Sequence, residues 1–156
     1  MNLTIIGTGY VGLVTGACFA EFGYSVTCLD KDNTRLEMLK SGKCPFFEPG
    51  MDELLDKHIN KTKLISFAST IKNNLENTDI IFITVGTPTR RFEDEADLSF
   101  VWQVAEEIAE NINKYCLVVT KSTIPVGTTR EVKKIISNKI DQNLFDVVSN
   151  PEFLRE

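Results

Sequence analysis

The sequence predicts an α/β fold, a doubly wound and mostly parallel sheet with helices on both faces. Short runs rich in β-branched residues alternate along the 156 residues with longer segments whose apolar residues recur at helical spacing. One run, residues 80–85, is continuous and uncharged, which is typical of a strand covered on both faces. This alternation gives parallel strands joined by crossover helices, and such folds bind ligands at the carboxyl ends of the strands.

The first half of the chain supplies two strand–helix units and one further helix. Turn and capping residues mark the boundaries, because Gly23 ends one helix and either Asp32 or Asn33 caps the next. The predicted elements are a strand at 3–6, a helix at 11–22, a strand at 25–29, a helix from about 33 that ends at 41–42 and, after a Pro- and Gly-rich loop at 43–50, a helix at 51–59.

The second half continues the alternation. The predicted elements are a strand at 64–67, a helix capped by Ser69 that reaches Leu75, a strand at 80–85, a helix at 98–112, a strand at 117–120, a helix at 128–140 and a strand at 145–149. His58 falls near the end of the helix at 51–59, where we expect it to complement the helix dipole rather than to act in catalysis.

Composition argues against several classes of protein. The net charge is −5 and no long Lys/Arg run occurs, which argues against a protein that coats nucleic acid. No segment approaches the roughly 18 apolar residues of a membrane span, and the first residues lack a secretory signal, so we expect a cytoplasmic protein. Four scattered cysteines and one histidine do not form a zinc-ligand pattern. Cys18, Cys28 and Cys116 lie in apolar segments and are expected to behave as small hydrophobic residues.

A glycine-rich turn follows the first predicted strand. Gly7, Gly9 and Gly12 match the pattern G-x-G-x-x-G, which gains weight here because it follows a strand and opens a helix. Gly7 allows a sharp turn, Gly9 lets the backbone approach a pyrophosphate, and Gly12 lets the helix pack closely on the sheet. The helix N-terminus offers free amides and a positive dipole end to the phosphates. The turn therefore predicts dinucleotide binding.

An acidic residue ends the second predicted strand. Asp30 can accept hydrogen bonds from a ribose diol, and its charge repels a 2′-phosphate, so the sequence favours NAD over NADP. Lys31 and Arg35 lie close in sequence, and a cation there would weaken that repulsion. The alternative is a structural turn followed by a surface aspartate without a ligand. Strand, turn, helix and acid together favour a Rossmann-type NAD-binding domain.

Three further polar segments follow predicted strands at the same edge of the sheet. Residues 85–89 suit either a ligand edge or an ordinary turn. Ser122 and Thr123 either cap the next helix or reach a substrate. Glu152 and Glu156 would lie one helical turn apart, which permits general acid–base chemistry, although a solvated helix start is the simpler interpretation.

Five segments together resemble one protein family. They read G-T-G-Y-V-G-L-V-T-G, E-P-G-M-D-E-L-L, V-G-T-P, K-S-T-I-P-V-G-T and N-P-E-F-L-R-E. This set is similar to the motifs of the UDP-glucose/GDP-mannose dehydrogenases, and the likeness runs from Met1 to Glu156. The glycine pattern is shared with many dinucleotide-binding proteins, whereas S-T-x-P-V-G-T and N-P-E-F-L are specific to this family.

The resemblance implies that residues 1–156 are the N-terminal NAD-binding domain of a nucleotide-sugar dehydrogenase. Such an enzyme oxidises an alcohol to an aldehyde and then, through a thioester, to an acid, with NAD as oxidant in both steps. The family pattern places the cofactor against Gly7, Gly9, Tyr10, Val11, Gly12, Asp30, Arg35, Val85, Gly86, Thr87, Thr123 and Glu156. It assigns the placing of water and acid–base catalysis to Thr123 and Glu152, and it puts the sugar nucleotide along Glu152, Phe153, Leu154, Arg155 and Glu156.

The chain departs from the family pattern in two respects. The aromatic residue before Glu-Pro-Gly is Phe47 where the family has Tyr, so any contact through that hydroxyl is lost. The nucleophilic cysteine and assisting lysine of the family belong to a second lobe, which follows residue 156 together with a central helix. We therefore expect residues 1–156 to bind NAD without turnover.

The family resemblance also gives expectations for the substrate and for the oligomeric state. UDP-glucose is the expected substrate, and GDP-mannose, a UDP-N-acetylhexosamine or a non-catalytic NAD-sensing role are the alternatives. Because family members commonly dimerise through elements that follow this domain, we expect a homodimeric full-length protein and a monomeric isolated domain, with neither nucleic acid nor membrane as partner.

Overall fold

Six parallel strands form one sheet at the centre of the protein. The computed structural model describes residues 1–88 and 96–152 and orders the strands β3-β2-β1-β4-β5-β6. The strands are β1 (Asn2–Ile6), β2 (Ser25–Leu29), β3 (Ile65–Ala68), β4 (Ile80–Ile83), β5 (Cys116–Thr120) and β6 (Phe145–Ser149). All five neighbouring pairs are parallel, which confirms the predicted doubly wound sheet.

Helices cover both faces of this sheet. They are α1 (Tyr10–Glu21), α2 (Asn33–Lys40), α3 (Met51–Asp56), which continues as a π-helix (Lys57–Lys61), α4 (Ser99–Asn111) and α5 (Thr128–Ser137), with a 3₁₀ turn (Gln142–Leu144) before β6. One hydrophobic core contains Ile81 of β4 and Ile108 of α4. The other contains Ile5 of β1 and Leu13 of α1, on the opposite face. Burial on both faces explains why the strands are continuous apolar runs.

The strand order reverses at β1, and this reversal positions the site. Ile5 lies opposite Cys28 of β2 on one side and opposite Phe82 of β4 on the other. In doubly wound sheets the crevice at such a switch point, at the carboxyl ends of the strands, is where ligands bind. The segments that follow β1, β2 and β4 therefore meet at one edge.

The predicted helix from Ser69 to Leu75 is wrong, because this segment forms turns. The Thr70 hydroxyl accepts a hydrogen bond from the amide of Lys72 at 3.2 Å, and Asn73 has a left-handed φ of 66°. Local bonds of this kind compete with helix formation. Ile71 and Leu75 are both buried in the core between the sheet and α4, so this segment contributes to the core without forming a helix.

Two further side chains have contacts or exposure that the sequence does not predict. His58, in the last turn of the π-helix, is buried, and its Nε2 lies 2.7 Å from Oε2 of Glu21, while its Nδ1 lies 3.0 Å from the Thr62 hydroxyl. It thereby joins the end of α1 to the π-helix. Cys18 is exposed on α1, whereas Cys28 and Cys116 are buried as predicted.

Candidate functional site

The turn after β1 has the geometry that phosphate binding requires. Gly7 has a φ of 104°, and a Cβ there would lie 2.8 Å from the carbonyl oxygen of Thr84, so only glycine fits without strain. Around Gly9 there is open space, because a Cβ at that position meets nothing within 4 Å. The helix α1 begins at the next residue with no side-chain cap and no acidic residue in its first turn. The first amides of an α-helix have no intrahelical acceptor, which suits the start of a helix to binding an anion.

Gly12 permits a close contact within the turn itself. A Cβ there would overlap the carbonyl oxygen of Gly7 and approach the Thr84 hydroxyl to 2.5 Å. That hydroxyl donates to the carbonyl oxygens of Ile6 at 2.9 Å and Gly7 at 2.8 Å, and so ties the turn to the end of β4. The close approach of α1 to the sheet itself falls at Gly16, where a Cβ would be 2.9 Å from Sγ of Cys28.

Asp30 follows β2 and is held by four donors. Its Oδ2 accepts from the Thr8 amide at 2.8 Å, the Thr8 hydroxyl at 2.6 Å and Arg35 Nη1 at 3.3 Å. Its Oδ1 accepts from the Asp32 amide at 3.0 Å. Burial alone would raise the pKa of the Asp30 carboxyl, but these hydrogen bonds, together with the charge of Arg35, hold it below its usual value. Asp30 is therefore ionised and fixed in place at neutral pH.

These residues border a cavity of about 570 Å³ at the switch point. The cofactor residues predicted from sequence that line it are Gly7, Gly9, Asp30, Arg35, Val85 and Gly86. Apolar residues that the sequence did not single out, among them Ile71, Phe100 and Val104, line the same cavity. An ion pair between Lys31 and Glu107, with Nζ 2.8 Å from Oε1, stands at its border. A cavity of this size, with apolar walls and a fixed carboxylate, suits a nucleoside.

A second cavity, of about 310 Å³, lies on the other side of the first turn of α1. Tyr10, Val11 and Glu152 line it together with Lys121 and Asn150 and with apolar residues of α1. The Tyr10 hydroxyl donates to the Glu48 carboxylate at 2.7 Å, and its ring packs 5.3 Å from that of Phe46. Lys121 Nζ donates to Asn150 Oδ1 at 3.3 Å, which links the ends of β5 and β6.

Hydroxyl groups join the loops that follow β4, β5 and β6. The Thr87 hydroxyl donates to the carbonyl oxygen of Thr123 at 3.1 Å, and the Thr123 hydroxyl donates to the main-chain carbonyl of Glu152 at 3.4 Å. The structure thus places the Thr123 hydroxyl beside the main chain of Glu152. Ser122 does not cap α5, since its hydroxyl donates to the carbonyl of Val85 at 2.7 Å.

Four predicted contacts, at Phe153, Leu154, Arg155 and Glu156, lie outside the described residues. Within residues 1–88 and 96–152, no three His, Cys, Asp or Glu side chains are grouped closely enough to hold a metal ion. In the same part of the chain, no helix has both the length and the apolar character that a bilayer span needs.

Sequence reasoning missed two residues of this site. Thr8 was passed over because the G-x-G pattern leaves its middle position open. Thr84 was treated as part of a strand, although β4 ends at Ile83 and the Thr84 side chain bonds the glycine turn. A hydroxyl directly after a buried strand, on the same edge as a glycine turn, is the signal that could have identified Thr84.

Comparison with known proteins assigns a family to this arrangement. The model of the UDP-glucose/GDP-mannose dehydrogenase family, NAD binding domain, matches residues 1–156. Over 156 residues the chain is 49% identical to the UDP-glucose 6-dehydrogenase of Rhizobium meliloti strain 1021, covering 100% of this chain and 36% of that protein. It is 46% identical to UDP-glucose 6-dehydrogenase TuaD of Bacillus subtilis strain 168, covering 99% of this chain and 33% of that protein.

Solved structures agree with the sequence comparison. A UDP-glucose dehydrogenase from Pyrobaculum islandicum superposes with a TM-score of 0.89 at 36% identity, over 99% of this chain and 36% of its own. A ternary complex of GDP-mannose dehydrogenase from Pseudomonas aeruginosa superposes with a TM-score of 0.90 at 34% identity, over 100% of this chain and 37% of its own. The chain thus spans about a third of the length of these relatives.

Proposed function

The chain belongs to the UDP-glucose/GDP-mannose dehydrogenase family, whose NAD-binding domain it matches throughout, and on that premise we propose that it is the N-terminal domain of a UDP-glucose 6-dehydrogenase. NAD is the cofactor of this domain. The full-length protein, which also contains a central helix and a sugar-nucleotide-binding domain, oxidises UDP-glucose to UDP-glucuronate in two hydride transfers. The catalytic cysteine and lysine lie beyond residue 156.

The choice of sugar rests on the relatives. The two curated relatives at 49% and 46% identity are named UDP-glucose 6-dehydrogenases. A second candidate is the oxidation of GDP-mannose or a UDP-N-acetylhexosamine. It is favoured by the likeness, at a TM-score of 0.90 each, to the GDP-mannose dehydrogenase and to a UDP-D-ManNAc dehydrogenase of Pyrococcus horikoshii, but these are only 34% and 28% identical to the chain.

The cofactor residues act by position and charge. The open space at Gly9 and the first amides of α1 receive the pyrophosphate, where the positive end of the helix dipole stabilises its charge. The Asp30 carboxylate accepts a hydrogen bond from a ribose hydroxyl, with Arg35 beside it. Val85, Gly86 and the hydroxyls of Thr87 and Thr123 continue the binding surface along the same edge, as the order of the strands supports.

Glu152 and Thr123 carry the proton chemistry of the reaction. When bound, NAD would accept a hydride from the sugar carbon in each of the two oxidations. The proton released with each hydride and, on hydrolysis of the thioester, a proton of water must go to a base. The Glu152 carboxylate accepts the proton and Thr123 positions the water. The family resemblance assigns binding of the sugar nucleotide to residues 153–156 and a cofactor role also to Glu156.

The observation that carries this proposal is the placement of Thr123 and Glu152 on the same sheet edge as the glycine turn, with the Thr123 hydroxyl 3.4 Å from the Glu152 carbonyl. The experiment is to count the NADH formed per UDP-glucose consumed by the full-length protein, with GDP-mannose and UDP-N-acetylglucosamine in parallel. Two NADH per UDP-glucose support the proposal. If only another sugar nucleotide is turned over, that sugar nucleotide is the substrate instead of UDP-glucose. NADH binding without turnover of any sugar nucleotide indicates a sensing module.

The proposal also covers the cellular location and the oligomeric state of the protein. The four cysteines are free thiols, as in proteins of reducing compartments, and this supports a cytoplasmic location. The full-length protein is a homodimer formed by elements outside residues 1–156, and the isolated domain is a monomer. Light scattering on both lengths of chain tests this, since a dimeric 1–156 chain would place an interface within the domain.

A further inference from the structure

Thr8 is a buried polar residue in the middle of the phosphate turn. Its relative exposure is 0%, although its neighbours Gly7 and Gly9 are more accessible. A buried hydroxyl needs a hydrogen-bond partner, and the one that Thr8 has is Oδ2 of Asp30, at 2.6 Å. The G-x-G pattern does not require a hydroxyl at this position, so its presence calls for a separate reason.

We propose that Thr8 is a specificity-determining residue, which fixes the Asp30 carboxylate so that the cofactor site rejects the 2′-phosphate of NADP. The proposal rests on NAD as the cofactor and not on the identity of the sugar substrate. Thr8 acts through Asp30 and is therefore a positioning residue.

The need for such a lock follows from the cations around the carboxylate. Arg35 Nη1 is 3.3 Å from Asp30 Oδ2 and its side chain is 37% exposed, while the Lys31 side chain is 63% exposed. If the carboxylate moved away, Arg35 would lose its partner and could pair with a phosphate, and Lys31 could do so by exchanging its partner Glu107. Because Arg and Lys are the side chains that bind phosphate, a mobile Asp30 would discriminate weakly between the two cofactors.

The hydrogen bonds of Asp30 oppose that movement. To swing away, the carboxylate must give up the amide and hydroxyl of Thr8 on Oδ2 and the amide of Asp32 on Oδ1. Oδ1 accepts a single hydrogen bond in the described structure, so it has a lone pair for a ribose hydroxyl. Of the donors to Oδ2, the Thr8 hydroxyl is the one contributed by a neutral side chain, so it can be removed without changing the charge of the site.

The test compares NADH and NADPH binding by the full-length protein, measured by fluorescence titration at constant ionic strength. Thr8→Val has nearly the same shape as the original and keeps the amide but removes the hydroxyl; Thr8→Ser keeps both donors. Thr27→Val is the matched control, since this β2 hydroxyl bonds Ser66 rather than Asp30. A hydrogen bond to a charged group is worth about tenfold or more in an equilibrium constant, so Thr8→Val should lower the preference for NADH by about tenfold. Thr8→Ser and Thr27→Val should leave the preference unchanged.

Three results would overturn the proposal. Equal weakening of NADH and NADPH by Thr8→Val would indicate a structural role without specificity. The second comes from introducing Thr8→Val into the Asp30→Ala variant. If Thr8 acts through Asp30, Thr8→Val should have no further effect on the cofactor preference in that background. A persistent effect would mean that Thr8 acts on the preference by a route other than Asp30. The apo protein offers an independent readout, because loss of the Thr8 hydroxyl should raise the pKa of the Asp30 carboxyl in a carbon-13 NMR titration. An unchanged pKa would also contradict the proposal.

Discussion

The substitutions Gly9→Ala and Gly12→Ala should distinguish a loss of cofactor binding from a loss of stability. Both glycines belong to the same turn, yet a Cβ at Gly9 meets nothing within 4 Å, whereas one at Gly12 overlaps the carbonyl oxygen of Gly7. Gly9→Ala should therefore leave the fold intact and place a methyl group where the pyrophosphate approaches. Gly12→Ala should destabilise the fold whether or not a cofactor is present.

The magnitudes follow from the local geometry. Gly9 has φ −68° and ψ −173°, which alanine adopts without strain. The gain from a less flexible unfolded chain, about 0.4–1 kcal/mol, is offset by the poorer capping of alanine, so the net change in the free energy of unfolding should stay within about 1 kcal/mol. At Gly12 the clash is with backbone and also displaces the Thr84 hydroxyl from its two acceptors, so we expect a loss of about 3 kcal/mol.

The assay pairs thermal unfolding of the apo protein with NADH titration. At about 2–4 °C per kcal/mol, Gly12→Ala should lower the Tm by about 6–12 °C, and Gly9→Ala by no more than about 4 °C. The Gly9 variant should bind NADH at least about tenfold more weakly, a loss of about 1.4 kcal/mol. If Gly9→Ala bound NADH normally, or lowered the Tm as much as Gly12→Ala, the assignment of the open space at Gly9 to the pyrophosphate would be wrong.

Three more substitutions or probes follow from the site and the core. Asp30→Asn should flatten the acid limb of the stability curve. The folded pKa of Asp30 is lowered, so its ionised form stabilises the protein above the unfolded pKa, and this stabilisation is lost as pH falls through the unfolded pKa and then the folded one. A charged thiol reagent at pH 8 should label Cys18 quickly, but Cys28 and Cys116 only on unfolding, since both are buried and burial raises each pKa to about 12. In the full-length protein, Glu152→Gln should lower turnover by at least about a hundredfold with NADH affinity unchanged.

Each of these three predictions has an experimental outcome that would contradict it. Parallel stability curves for wild type and Asp30→Asn over the acid limb would mean that this carboxylate does not stabilise the fold. Rapid labelling of Cys28 in the native protein would require α1 to separate from β2. Full turnover in Glu152→Gln would remove Glu152 from the proton chemistry, and equal loss of turnover and NADH binding would indicate a structural defect.

The fold could be predicted from sequence because its signals are local and repeated. The sequence predicts β6 at residues 145–149 and β2 at residues 25–29 with their observed bounds, since short runs with β-branched residues, bordered by turn residues, have few other interpretations. The failure at residues 69–75 has a physical cause. Ile71 and Leu75 have helical spacing, but they reach the core from a series of turns in which Asn73 takes a left-handed conformation.

The candidate site was predictable where a backbone requirement restricts the residue type, and not where side chains meet across the fold. Only glycine suits the φ of 104° at Gly7, so the pattern itself carries the geometry. The contacts of Thr8 with Asp30 and of His58 with Glu21 join residues far apart in sequence, and no local pattern distinguishes them from other Thr and His residues. Such pairs emerge only once the sheet order is known.

The hydrogen bonds between the last loops affect how the proposed chemistry can be tested. The Thr87 and Thr123 hydroxyls donate to main-chain carbonyls, those of Thr123 and Glu152, so these side chains hold the loops after β4, β5 and β6 together. Removing the Thr123 hydroxyl would therefore release the Glu152 backbone as well as any water it positions, and lost activity could not be divided between the two effects. Glu152→Gln keeps the main-chain acceptor and changes only the side chain, and for this reason it tests the proton chemistry directly, whereas a change at Thr123 tests the chemistry and the loop together.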